Sequence, residues 1–111
     1  MELVTGGAGF IGSHLVDTLV AQGKTVRVFD NFSSGREDFL SHHQDSGMVE
    51  IVKGDLLDFD SLNSAMEGVE TVHHLAANPD IRLGTEVTDT DLRQGTVATY
   101  NVLEAMRNSG V

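Results

Sequence analysis

Three glycines at positions 6, 9 and 12, followed by an acid at Asp30, are the residues of this 111-residue chain whose types and spacing could do chemistry. They stand in Val4-Thr5-Gly6-Gly7-Ala8-Gly9-Phe10-Ile11-Gly12, where a short apolar strand must turn into a helix. Gly6 permits the tight turn, Gly9 lets the backbone approach a pyrophosphate, and Gly12 allows close packing of helix on sheet. Free N–H groups at the helix start, backed by the positive end of the helix dipole, bind phosphate oxygens without any lysine. Asp30 closes the next strand, formed by Val26, Val28 and Phe29, where a carboxylate accepts hydrogen bonds from a ribose. A glycine turn alone is common. Strand, glycine turn, helix and terminal acid in this order indicate a dinucleotide site. An acid there repels a 2′-phosphate and favours NAD over NADP. Arg36 keeps NADP open, since its side chain reaches either a phosphate or solvent.

The elements that must position these residues are legible as apolar runs alternating with helical periodicity, the pattern of successive βα units and a parallel sheet. Four strands are predicted: Leu3–Thr5, Thr25–Asp30, Met48–Lys53 and Thr71–Leu75. The first helix is predicted from Phe10 to about Gln22, with Phe10, Ile11, His14, Leu15, Thr18 and Leu19 on one face and Gly23 as its stop. A second helical stretch falls around Glu37–Gln44 and ends in the turn Asp45-Ser46-Gly47. Asp60 or Ser61 caps a third, running to about Glu67 before Gly68.

The longest helix is predicted from about Asp89 to Asn108, with Leu92, Val97, Tyr100, Leu103 and Met106 on its apolar side. Gly95 inside it costs about 1 kcal/mol relative to alanine and marks a start, a kink or a close ligand approach. The one long connection, Asn78 to Val87, has the length of a binding loop. Right-handed crossovers with the phosphate turn on the first strand give a Rossmann-like, doubly wound α/β sheet of four parallel strands in the order 3-2-1-4. Ligands then lie beyond the carboxyl ends of the strands, where Thr5–Gly12, Asp30–Gly35, Gly54–Leu56 and Ala76–Pro79 converge.

Composition bounds the alternatives. The length suits one domain with its own core, and 40 % apolar content is ordinary for a globular protein. No apolar stretch approaches the roughly 20 residues of a membrane span, and no basic-then-apolar leader is visible, so the cytoplasm is the expected compartment. Cysteine is absent, which excludes disulfides, thiolate metal sites and cysteine nucleophiles. A net charge of −10, from 17 acidic against 7 basic residues, argues against nucleic acid as a partner. Abundant aspartate beside only Lys24 and Lys53 suits a salt-rich cytoplasm.

The segments VTGGAGFIGSHLVD, FDNFSSGRE, KGDLLD, HHLAANPDIRLG and TVATYNVLEAMRNSGV, in this order and spacing, resemble the first part of the extended short-chain dehydrogenase/reductase family. The likeness is to its nucleotide-sugar epimerases and dehydratases, in particular to archaeal-type UDP-glucose 4-epimerases. It spans essentially the whole chain. The resemblance implies NAD as cofactor, a nucleotide-sugar substrate and a homodimer for the full enzyme. It implies that Phe10 and Ile11 donate backbone N–H groups to the pyrophosphate, and that Asp30 and Asn31 contact the adenosine ribose, with Ser34 and Gly35 near that end. It implies that Asp55 and Leu56 hold the adenine edge, and that Leu75, Ala76 and Ala77 pass close to the nicotinamide-side ribose. Where the family usually has Asn at the start of its N-x-x-[AG]-T-x-N-x-L-E-A helix, this chain has Gly95, so that role is not transferred. Asn101, which matches the later Asn of the motif, reads as structural.

The family's chemistry needs a Tyr-x-x-x-Lys pair and an upstream Ser or Thr. The single tyrosine, Tyr100, is followed four residues later by Glu104, so no catalytic residue is assigned. The chain reads as the NAD-binding N-terminal part of a larger enzyme, without the catalytic strand and substrate domain. Strand four would then be a sheet edge, and the chain is expected to be marginally stable and prone to associate. A non-catalytic dinucleotide sensor and an NADP-dependent reductase of the same superfamily are the alternatives. The pairs His42-His43 and His73-His74 invite a metal reading, but neighbours on a strand point to opposite faces, and all five histidines read as structural or solvated. Asp55, Asp58 and Asp60 read as helix capping and the adenine contact rather than a cation site, His14 as packed against the sheet, and Arg82 as either solvated or a substrate-phosphate or subunit contact.

Overall fold

Strand β1, Glu2–Thr5, is buried at all four positions, and that burial sets the architecture. Its side chains alternate between faces, so Leu3 enters one apolar layer and Val4 the other. A computed structural model describes the whole chain, residues 1–111. In it β1 is flanked by β2 (Val26–Asp30) on one side and β4 (Thr71–His74) on the other, and β3 (Val49–Lys53) lies outside β2. All pairings are parallel, in the order β3-β2-β1-β4, with Thr5 opposite Phe29 and His74. This is the predicted α/β arrangement, with β3 and β4 as its edges. No helix is long and apolar enough to cross a membrane.

Helix α1, Phe10–Ala21, covers one face of the sheet, where Val16 and Leu19 meet Val4, Val26, Val28 and Leu40. Its buried stripe runs through Gly12, Ser13, Val16 and Leu19 and shares only Leu19 with the expected face. His14 is exposed and stands edge-on to Phe10, with ring centroids 5.0 Å apart, rather than packing on the sheet. Small residues at 12 and 13 bring the helix start down, which turns Phe10 and Ile11 outward.

The opposite face carries α2 (Phe59–Ala65) and α4 (Ala98–Ser109), which pack on each other and on Leu3 and Phe29 through Leu62, Met66, Val102 and Ala105. The cap of α2 is Asp58, whose carboxylate accepts from Ser61 N–H at 3.3 Å; Asp60 and Ser61 lie inside the helix. Arg27 ties this layer to β2, donating to the carbonyls of Ala65 and Glu67 at 2.7 and 2.8 Å.

Three sequence expectations are corrected. The stretch around 37–44 forms two 3-10 turns, Glu37–Phe39 and Ser41–His43, because it closes locally against α1 instead of presenting a continuous apolar stripe. Both imidazoles of the second turn reach one oxygen of Asp17 on α1, His42 at 2.7 Å and His43 at 2.6 Å. Burial pushes the Asp17 carboxyl up, and the hydrogen bonds from His43 and His42 more than offset it, leaving it below its ordinary value. The last helix is split into a π-helical segment, Leu92–Val97, and α4 proper. Its buried stripe is Ala98, Val102 and Ala105, while Leu92, Tyr100 and Leu103 face outward. Finally, the long connection holds a short helix of its own, α3 (Leu83–Glu86).

These faces predict opposite outcomes for two leucines. Leu62→Ala removes a fully buried side chain and lowers unfolding free energy in urea by about 3 kcal/mol. Leu103→Ala, on the exposed side of α4, changes it by less than about 0.5 kcal/mol.

Candidate functional site

Helix α1 begins without a side-chain cap, since Gly9 has no side chain to offer, and no acidic residue lies in the first turn. Its first internal bond is Ser13 N–H to Gly9 O at 2.9 Å, so the N–H groups of Phe10, Ile11 and Gly12 precede the ladder. That end of the helix presents backbone N–H groups of the kind that suit an anion. Gly6 takes a left-handed conformation at φ +70°, and a Cβ there would lie 2.7 Å from Ala76 N. The phosphate turn is therefore pressed against the chain leaving β4. A Cβ at Gly12 would lie 2.1 Å from Gly6 O, so that glycine accommodates the turn's own backbone rather than the sheet.

Asp30 is almost fully buried at the end of β2. Its Oδ2 accepts from Ala8 N–H at 3.0 Å and its Oδ1 from Phe32 N–H at 2.8 Å. The carbonyl of Ala8 accepts in turn from Arg36 N–H at 2.9 Å. Both backbone polar groups of Ala8 are thus held, the N–H by the last residue of β2 and the carbonyl by the loop after it. Phe32 sits at φ +59°, a conformation that costs a non-glycine residue about 1 kcal/mol and that the Asp30 bond helps to hold. Asn31 folds back to accept from Ser33 N–H at 2.9 Å. Each Asp30 oxygen has a second lone pair for a hydroxyl donor.

These segments enclose a crevice of about 790 Å³ at the carboxyl ends of the strands. Gly6, Gly9, Phe10, Ile11 and Gly12 line it from the first turn; Asp30, Asn31, Ser34 and Gly35 from the second; Leu56 from the third; and Leu75, Ala76 and Ala77 from the fourth. Asp55 alone of the expected set does not line it. Its Oδ1 accepts from Leu57 N–H at 2.9 Å and closes the turn before α2. The Asn101 amide holds the same region from behind, donating to Leu56 O at 2.8 Å, which is the structural role expected of it.

Thr90 and Gln94 also reach the crevice, from the π-helical segment and the residues before it. Sequence reading did not name them; the signal available was Gly95, whose helix-weakening presence accompanies the widened turn. A Cβ at Gly95 would meet no atom of the chain within 4 Å, so packing within the chain does not require glycine there. The guanidinium of Arg36 is engaged by Asp38 through bonds of 3.0 and 2.6 Å and lies 5.2 Å over the Phe39 ring. Arg82 is exposed, with its Nε 3.6 Å from Asp80.

The crevice floor rests on a polar chain through Thr5, fully buried at the end of β1. Its Oγ1 lies 3.2 and 3.3 Å from the N–H groups of Leu75 and Ala76 and 2.7 Å from His74 Nδ1. On the far side of the ring, His74 Nε2 lies 3.0 Å from Thr99 Oγ1 on α4. A hydroxyl that accepts from the backbone donates to an unprotonated Nδ1, so the neutral ring with its proton on Nε2 satisfies every partner. Burial holds the His74 pKa below its ordinary 6.5, in agreement with that state.

A family model described as the NAD dependent epimerase/dehydratase family matches residues 2–111. The chain belongs to that family. It is 40 % identical to a UDP-glucose 4-epimerase of Mycolicibacterium smegmatis over 98 % of its own length and 35 % of the relative's. It is equally similar, at 40 %, to a 3 beta-hydroxysteroid dehydrogenase/Delta 5-->4-isomerase of Mycobacterium tuberculosis, covering 98 % of this chain and 29 % of that one. Among solved structures, the UDP-glucose 4-epimerase of Thermus thermophilus in complex with NAD superposes with a TM-score of 0.88 at 35 % identity, over 99 % of this chain and 34 % of the other. The chain spans about a third of the length of the relatives it matches. It corresponds to the NAD-binding region of nucleotide-sugar epimerases and dehydratases.

Two measurements test this geometry. Gly6→Ala destabilises by more than about 2 kcal/mol, from left-handed strain plus the clash with Ala76, whereas Gly95→Ala stabilises by up to about 1 kcal/mol. Because His74 binds its proton less readily folded than unfolded, it contributes stability that is present above pH 6.5 and lost as pH falls below it. Melting temperature therefore falls more between pH 6.5 and 4.5 in the wild type than in His74→Gln, and identical pH profiles of the two would contradict the neutral-ring network.

Proposed function

We propose that residues 1–111 bind NAD and serve as the cofactor-binding part of a nucleotide-sugar epimerase of the UDP-glucose 4-epimerase kind. The observation that carries the reading is the crevice itself, where the uncapped start of α1 and the buried Asp30 carboxylate face one cavity. The N–H groups of Phe10 and Ile11 take the pyrophosphate, and the free lone pairs of Asp30, with Asn31 beside it, take the adenosine ribose hydroxyls. Ser34 and Gly35 flank that end. Leu56 borders the adenine, and Asp55 keeps Oδ2 for the adenine edge while Oδ1 holds Leu57 N–H. The backbone of Leu75, Ala76 and Ala77 runs beside the nicotinamide-side ribose, held there by Thr5.

Bound there, NAD would supply reversible hydride transfer for the sugar chemistry. This chain orients the carrier and contributes no proton-transfer group. Tyr100 lies exposed on α4 with Glu104, not lysine, four residues on. The exposed apolar residues Val97, at the end of the π-helical segment, and Tyr100 and Leu103, on the outer face of α4, support burial against further protein, as in a homodimer. NAD is preferred over NADP because Asp30 repels a 2′-phosphate and Arg36 is already committed to Asp38.

The test is calorimetric titration with both dinucleotides. NAD binds at least about tenfold more tightly than NADP, and Asp30→Ala weakens NAD at least about tenfold. Tighter binding of NADP would overturn the cofactor assignment. For an enzyme of the relatives' length that carries this chain, interconversion of UDP-glucose and UDP-galactose is the expected turnover. Oxidation of a 3β-hydroxysteroid without sugar turnover would move the substrate to that of the equally similar steroid dehydrogenase and leave the cofactor site as described.

A further inference from the structure

Outside the crevice, the three side chains that converge most closely are Asp17, His42 and His43. Both imidazoles direct Nε2 at the same carboxylate oxygen, Asp17 Oδ1, at 2.7 and 2.6 Å, and the ligand atoms of all three residues lie within 4.8 Å of one another. The ring centroids of the two histidines are 4.1 Å apart. A carboxylate only accepts, so both Nε2 atoms carry protons here. The arrangement is one in which a single cation takes the place of two protons.

The frame around it is rigid. Asp17 projects from the middle of α1, between Val16, buried in the core, and Thr18. The histidine turn is anchored by Leu40, fully buried in the same core, and by hydrogen bonds from Ser41 Oγ to Asp38 O at 3.0 Å and from Ser46 Oγ to His43 O at 2.8 Å. His43 is itself buried, while His42 is half exposed and leaves the ion a path from solvent. Two neighbouring histidines on a short 3-10 turn rarely serve one carboxylate, because successive side chains there diverge by about a third of a turn.

We propose that Asp17, His42 and His43 form a binding site for a divalent transition-metal ion of the zinc type, which clips the crossover between β2 and β3 onto α1. Two imidazole nitrogens and one carboxylate oxygen suit zinc, nickel or cobalt and not calcium or magnesium, which take oxygen ligands. Three protein ligands leave the fourth tetrahedral position to water. With ligand bonds of about 2.0–2.1 Å, tetrahedral geometry sets the donor atoms about 3.3 Å apart. Each imidazole then withdraws from Asp17 by about 0.6–0.7 Å, and Nδ1 carries the ring proton while Nε2 gives its lone pair to the ion. The crossover so fixed begins with the Asn31–Arg36 loop, but the site takes its ion from solvent independently of the crevice.

The full chain, stripped with a chelator, is titrated with zinc chloride by calorimetry and with cobalt chloride by visible absorption. The expected result is one ion per chain, tetrahedral cobalt bands, and a melting temperature raised by zinc. His42→Gln, at an exposed position that leaves the fold intact by circular dichroism, weakens zinc at least about tenfold and abolishes the zinc-induced rise, as does Asp17→Asn. His73→Gln, on the far edge of the sheet, leaves the zinc affinity of the wild type unchanged. Absence of saturable binding overturns the proposal. So does an equal loss in His42→Gln and His73→Gln, which would mark scattered surface imidazoles as the binders.

Discussion

A buried carboxylate at the end of β2, Asp30, accepts one N–H from the glycine turn at Ala8 and one from the loop at Phe32, and the geometry of the crevice depends on that pair of bonds. Desolvating a carboxylate is costly, and it is tolerated here because two directed N–H donors replace water. The consequence is mechanical as well as electrostatic. The glycine turn at the start of α1 and the loop that borders the crevice after β2 cannot move independently, since each is tied to the same side chain. Gly35 sharpens the constraint, because any Cβ at that position would stand 2.8 Å from Ala8 and 3.1 Å from both oxygens of Asp30.

The remainder of the fold supplies a platform for this arrangement. Parallel pairing brings all four strand ends to one side, and the two apolar layers keep β1 inaccessible from either face. Thr5 then does at the end of β1 what Asp30 does at the end of β2. It collects two backbone N–H groups and fixes the Leu75–Ala77 segment where the glycine turn is pressed against it. His74 and Thr99 extend this support to α4. The two sides of the crevice are thus set by two buried acceptors on adjacent strands.

The sheet order, the strand positions and the residues of the glycine turn were legible in the sequence because they depend on local rules: alternation of apolar runs, a strand-to-helix turn that only glycine tolerates, and an acid closing the next strand. What escaped was tertiary. The face of α1 was misjudged because Phe10, Ile11 and His14 look like core by composition, whereas the close approach of Gly12 and Ser13 turns them outward. The same applies to α4, where small Ala98 and Ala105 are buried and large Tyr100 and Leu103 are not. Asp55 closes its own turn through Oδ1, a local bond on which the resemblance is silent. The meeting of Asp17 with His42 and His43 joins residues 25 and 26 positions apart, beyond the reach of any periodicity.

Membership of the NAD dependent epimerase/dehydratase family and the layout of the crevice lead to a single central claim, that α1 and Asp30 together hold NAD. The most direct measurement is a crystal structure of the chain grown with NAD. The account predicts the pyrophosphate on the N–H groups of Phe10 and Ile11, with adenosine ribose hydroxyls donating to Asp30 while its bonds to Ala8 and Phe32 remain. Dinucleotide density away from the start of α1, or a ribose that leaves Asp30 untouched, would contradict it.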